Sequence, residues 1–140
     1  VLIVCLLDSF YTQDARHHGR LAPPLWVPSD SSVSSRNLRK MVPEGSELLC
    51  FNSCPYIVAS ANHHGTPDPL YVARILRLLG AFDVLLVCGA VAKSTFRLSP
   101  YKGSQPNLFI HHPAWRAWSL VEFSRVRERI LTLTVSRSVQ

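Results

Sequence analysis

The sequence predicts an α/β protein, a three-layer α/β/α arrangement around a central, mainly parallel four-stranded sheet. Four short apolar runs recur, "VLIVCLL", "ELLCFNS", "DVLLVCG" and "NLFIHH", each bounded by polar or turn-forming residues. They are too continuous for a sheet with one wet face, so they read as strands covered on both sides. Segments of helical character alternate with them, and that alternation favours parallel pairing through crossover helices. With 140 residues, 47% of them hydrophobic, the chain can bury one core of ordinary size and is short for two.

In chain order, the first run ends at Asp8 and opens a long loop to Asp30. "SVSSRNLRKMV" supplies a short helix before the second run, which ends at Asn52 and Ser53. "DPLYVARILRLLG" carries the clearest helix signals: Asp68 as cap, Pro69 in the first turn, Gly80 as stop, and Val72, Ile75, Leu76 and Leu79 at helical spacing. The third run ends at Gly89 and leads into a helix from "AVAKSTF". The fourth ends at His111 and His112, after which Phe123, Val126, Ile130 and Leu133 mark one face of a final helix. A single domain over residues 1–140 is expected. Because Val1 falls inside the first strand, an upstream segment of a longer protein is expected too.

Composition narrows the classes of partner. "VLIVCLL" has no basic leader and is too short to cross a bilayer, so neither a signal peptide nor a membrane anchor is expected. Fifteen Lys and Arg against nine Asp and Glu give a net charge of +6, which favours a polyanionic partner through phosphate neutralisation. Cys5, Cys50, Cys54 and Cys88 sit mostly in apolar runs and are expected to be reduced thiols of an intracellular protein. "CFNSC" lacks the second cysteine pair that a structural zinc site needs, so no metal is expected.

In open parallel sheets, ligands gather beyond the carboxyl ends of the strands. Asp8, Asn52 with Ser53, Gly89, and His111 with His112 stand at those ends. A carboxylate, an amide, a glycine that exposes backbone and an imidazole pair can together polarise a carbonyl, orient water and read a planar polar edge.

That constellation, in this order, resembles the uracil-DNA glycosylase superfamily over nearly the whole chain. The family's water-activating Gly-Gln-Asp-Pro-Tyr motif is matched by Leu6, Leu7, Asp8, Ser9 and Phe10, without the glycine and the proline. Its strand-end asparagine is matched by Asn52, and a phosphate-contacting histidine falls on His63, eleven residues on. Its glycine loop is matched by Gly89 and Ala90, and its His-Pro loop by "HPAWR", close to the His-Pro-Ala-Ala-Arg of poxviral relatives.

The resemblance implies a DNA repair enzyme that flips uracil out and hydrolyses its bond to deoxyribose, with no cofactor. Asp8 would favour the oxocarbenium-like sugar and orient water, while His112 would donate to the uracil oxygen as charge grows there. Asn52, Phe10 and Leu7 would contact uracil, Asn52 reading its polar edge and Phe10 excluding thymine. Ser9, Ser53, His63, Gly89 and Ala90 would hold DNA, with Arg116 beside Trp115 as the wedge entering the duplex. The family stacks uracil on a phenylalanine downstream of the aspartate; here Leu21 or Trp26 stands in that region.

Two alternatives stay open. One is a catalytically weakened or inactive relative that binds DNA or serves as a polymerase processivity partner. The other is a metal-dependent hydrolase using the pairs His17 with His18, His63 with His64, and His111 with His112, although neighbours on a strand face opposite ways.

Overall fold

Backbone hydrogen bonds join Leu2–Leu7 (β1), Glu47–Asn52 (β2), Val84–Cys88 (β3) and Asn107–Ile110 (β4) into one sheet of order β2-β1-β3-β4, parallel at every pairing. This computed structural model describes residues 1–29, 31–59 and 65–138, with side chains up to Val135. The helices are Val33–Met41 (α1), Pro69–Leu79 (α2), Ala90–Leu98 (α3) and Leu120–Ser138 (α4). All the expected strands and helices are present.

Burial follows from strand position. β1 and β3 occupy the middle of the sheet, and every residue of Val84–Cys88 is buried, as a continuous apolar run requires. Alternate side chains feed two separate cores. Cys5, Leu7, Cys50, Leu86 and Cys88 pack with Leu38 and Met41 of α1 and with Phe123, Val126 and Ile130 of α4. Val4, Leu6, Phe51, Leu85 and Val87 pack on the other face with Val72, Ile75 and Leu76 of α2 and with Ala92 of α3. Helices therefore cover both faces of the sheet, as the three-layer reading anticipates.

The helix ends follow the local sequence. One Asp68 carboxylate oxygen accepts from the Leu70 and Tyr71 amides at 3.1 Å each, with Pro69 opening the first turn, and Gly80 closes α2 at φ +69°. Ser32 caps α1 by accepting from the Ser35 amide at 3.1 Å.

The stretch from Asp8 to Ser29 is not the free loop that its composition suggests. It carries a short 3-10 turn at Ala15–His17, and isolated bridges pair Tyr11 with Val58, Leu21 with Tyr56, and Trp26 with Cys50. Among the described residues no helix is long and apolar enough to cross a membrane.

Cys5, Cys50, Cys54 and Cys88 are free and buried. The hydrogen bond with Cys5, then burial, pushes the Cys50 thiol far above the ordinary cysteine range. Such thiols act as small core groups rather than nucleophiles.

Candidate functional site

The register of β1 against β2 pairs Leu7 with Asn52, so these two strands end level and the residues that follow emerge side by side. The ladder then continues past both ends. The Ser53 amide donates to the Leu7 carbonyl at 2.9 Å, Cys54 to Asp8 at 3.0 Å and Val58 to Phe10 at 3.0 Å. Backbone pairing thereby holds the Asp8 segment in shape although it contains neither glycine nor proline. Ser53 strengthens it by donating its hydroxyl to the same Leu7 carbonyl at 2.7 Å.

The His-Pro loop is fixed from several directions. The Gly89 amide donates to Ile110 at 2.9 Å, and the His112 carbonyl accepts from the Trp115 amide and from Trp118 Nε1, both at 2.9 Å. Asn37 of α1 donates its side-chain amide to the Pro113 carbonyl at 2.7 Å. Trp118 in turn stacks on Phe123 at 5.2 Å between centroids, which ties the loop to α4.

These supports bring Asp8 and His112 together, with His112 Nε2 standing 3.4 Å from Asp8 Oδ1. The other ring nitrogen, Nδ1, accepts from the Ala114 amide at 3.0 Å. An acceptor nitrogen carries no hydrogen, so the neutral ring holds its proton on Nε2 and aims it at Asp8. This geometry makes the imidazole a donor at Nε2. It does not make it the base of a Ser-His-Asp relay, which needs a free Nδ1 or Nε2 lone pair facing a nucleophile.

Burial alone pushes the Asp8 carboxyl up. The hydrogen bond and charge of His112, with the Ser9 amide at 2.8 Å, outweigh it and leave the group below the usual aspartate range. A folded value below the unfolded one of about 3.9 adds stability above that pH, and the contribution disappears as pH falls through the folded value. Both partners are about one-third exposed, so solvent screening keeps the contribution below about 1 kcal/mol. The urea midpoint of the native chain should therefore exceed that of Asp8→Asn at neutral pH by a small margin, and the two should converge in acid. A margin that widened in acid would contradict the assignment.

Asn52 is 4% exposed, and its side-chain nitrogen has no hydrogen-bond partner. Trp26 Nε1 is the second such buried donor among the described residues. The two belong to one neighbourhood: Trp26 exchanges backbone hydrogen bonds with Cys50, two residues before Asn52, and packs against the core on the Cys50 face. Phe10 meets the Trp26 ring edge-on at 6.3 Å. Each unmet buried donor costs about 1–3 kcal/mol.

Gly89 adopts φ +92°, ψ 175°, a region that only glycine enters freely, and a Cβ there would lie 3.2 Å from His112 Cβ. It caps α3 without any side-chain bond, leaving the first helix amides beside Ala90 open to an acceptor. Gly89→Ala should destabilise the fold by about 1–3 kcal/mol in urea unfolding and shift the His112 ring resonances. Unchanged resonances would show that this contact does not position the ring.

Several expected contacts need correction. Ser53 is fully buried and its hydroxyl is spent on Leu7, so it braces the loop and does not face a phosphate. Leu7 puts its side chain into the core and presents only its carbonyl to this region. Trp115 stacks on His111 at 3.8 Å and meets Trp118 edge-on, so it builds the loop, while Arg116 beside it is exposed. Of the two candidates for a stacking residue, Leu21 is 72% exposed and Trp26 is at the site. His63 lies outside the described residues.

Of the histidine pairs, His17 contacts Asp14, His18 accepts from the Ala59 amide, and His64 falls with His63 outside the described residues. Among the described residues no three His, Cys, Asp or Glu side chains converge as metal ligands. Asn37 and Ala114 were not among the expected site residues, and Trp118 was expected beside Arg116 rather than as a brace of the loop. The Asn37 contact is tertiary and leaves no local signal, while those of Ala114 and Trp118 to His112 lie within the loop. Compared with protein families, curated proteins and solved structures, the chain matches nothing in any of the three.

Proposed function

We propose that this chain is a uracil-DNA glycosylase-like hydrolase that cleaves the N-glycosidic bond of uracil in DNA. The observation that carries the reading is the pair formed by Asp8 and His112, with the imidazole fixed as an Nε2 donor by the Ala114 amide. Cleavage of the C1′–N1 bond leaves its electron pair on the base and positive charge on the sugar. A donor is then needed at the base carbonyl, and a carboxylate at the sugar.

In the free chain the Nε2 proton faces Asp8. A bound uracil would take over that hydrogen bond through its carbonyl oxygen, releasing the carboxylate to orient the water that adds to C1′ and to take up the proton that water loses, while the uracil anion departs and is protonated by solvent. On this reading the extruded base is read by Asn52 and packed by Phe10 and Trp26, which requires the strand-end segments to part, because the Asn52 and Trp26 nitrogens are buried in the free chain. The uncapped start of α3 and the exposed Arg116 suit phosphate and duplex contacts, in keeping with the net charge of +6.

A second reading, a DNA-binding or polymerase-associated protein without catalysis, is favoured by one observation. The Asp8–His112 contact engages both reacting groups with each other in the free chain. Incubation with single-stranded DNA carrying one uracil, in chelator, separates the two. Abasic sites support the glycosylase, and tight binding without uracil release supports the second reading. Activity that returns only with zinc or manganese would sink both.

A further inference from the structure

We infer that the free edge of β4 is a docking site for an acidic segment of a partner protein in extended conformation, added to the sheet as a fifth strand. The inference does not depend on the glycosylase reading. β4 ends the sheet order, and its bonds to β3 use the carbonyls of Pro106 and Ile110, which accept from Leu85 and Gly89. In a parallel ladder a residue's N–H and C=O point the same way, so the alternate residues Asn107, Phe109 and His111 turn theirs outward. Among the described residues no other strand pairs with that edge.

The carboxyl-terminal part of the edge borders a shallow trough. A cavity of about 810 Å³ runs along Phe109, Ile110 and His111, walled by the start of α3 on one side and by α4 on the other. Its rim carries Lys93, Arg125 and Arg129 against one acid, Glu122, which already pairs with Arg125 at 3.0 Å. Lys93 also lies over the Phe109 ring, 5.5 Å from its centroid.

Charge complementarity selects an acidic occupant, and the backbone edge selects a peptide over a nucleic acid. Alternating donors and acceptors along a strand are satisfied by another strand, whereas phosphates only accept. Side chains at every second position of the added strand would meet the basic rim.

The test uses a capped synthetic peptide of sequence Glu-Val-Glu-Val-Glu and amide exchange read by NMR. At about nine-tenths occupancy, exchange at Asn107, Phe109 and His111 should slow about tenfold. The same peptide N-methylated at alternate amides should not bind, and the double variant Arg125→Glu, Arg129→Glu should weaken binding at least about tenfold. Both arginines are exposed, and an unchanged urea midpoint would show that the variant is folded. Absence of peptide binding would leave Lys93 as a simple guard against edge pairing and overturn the proposal. Binding without slowed exchange at the edge would overturn it too.

Discussion

On the proposed glycosylase reading, replacing Asp8 by asparagine should lower single-turnover uracil release by about 10²–10⁴-fold, the usual range for loss of a positioned acid-base group, while DNA binding stays within a few-fold. Asparagine keeps the size and one oxygen of the carboxylate, so it can still accept from the Ser9 amide and the loop keeps its shape. What it loses is the negative charge opposite the developing cation and the ability to orient water by accepting its proton. A rate held at the native level would remove Asp8 from the mechanism. Equal losses in rate and in DNA binding would point to a structural role instead.

Truncating Phe51 to alanine should cost about 3–5 kcal/mol, a large share of the roughly 5–15 kcal/mol that holds a domain of this kind together. Phe51 is fully exposed to core and not to water: its relative exposure is 0%, it is among the largest fully buried side chains, and it fills the α2 side of the sheet with Leu6, Val72 and Leu76. Its neighbours sit on rigid strand and helix backbone and cannot collapse into the space it would vacate. The loss would be read as a lowered urea midpoint with an unchanged slope. A cost below about 1 kcal/mol would mean that this face of the core repacks around the smaller side chain.

The regular elements were legible in the sequence because their causes are local. Apolar runs announce doubly covered strands, and Asp68, Pro69 and Gly80 punctuate α2 through side-chain capping, fixed φ and positive φ, all properties of single residues. The placement of Asp8, Asn52, Gly89 and His112 at strand ends was legible for the same reason, given the parallel sheet.

The support of the site was not legible. The bridge from Trp26 to Cys50 and the pairing beyond β1 and β2 are backbone to backbone and need no particular side chain. Asn37 reaches Pro113 across 76 residues of chain, a distance no local pattern spans. Ser53 shows how identity can mislead: a serine after a strand suggests a surface hydroxyl, yet pairing with Leu7 buries it completely.

The ladder that continues beyond β1 and β2 also sets how this chain can vary. Surface loops ordinarily accept inserted and deleted residues. Here the segments after Leu7 and after Asn52 are stitched together from Ser53–Leu7 to Val58–Phe10, so their lengths are not independent. A residue added between Asp8 and Phe10, or between Cys54 and Val58, would pull one of these backbone pairs apart and disturb the turn that follows Asp8. Substitutions near Asp8 are therefore easier to absorb than a change in spacing, and the same holds around Arg20 and Leu21, where Gly19, Arg20 and Ala22 pair through their backbones with Ile57 and Pro55.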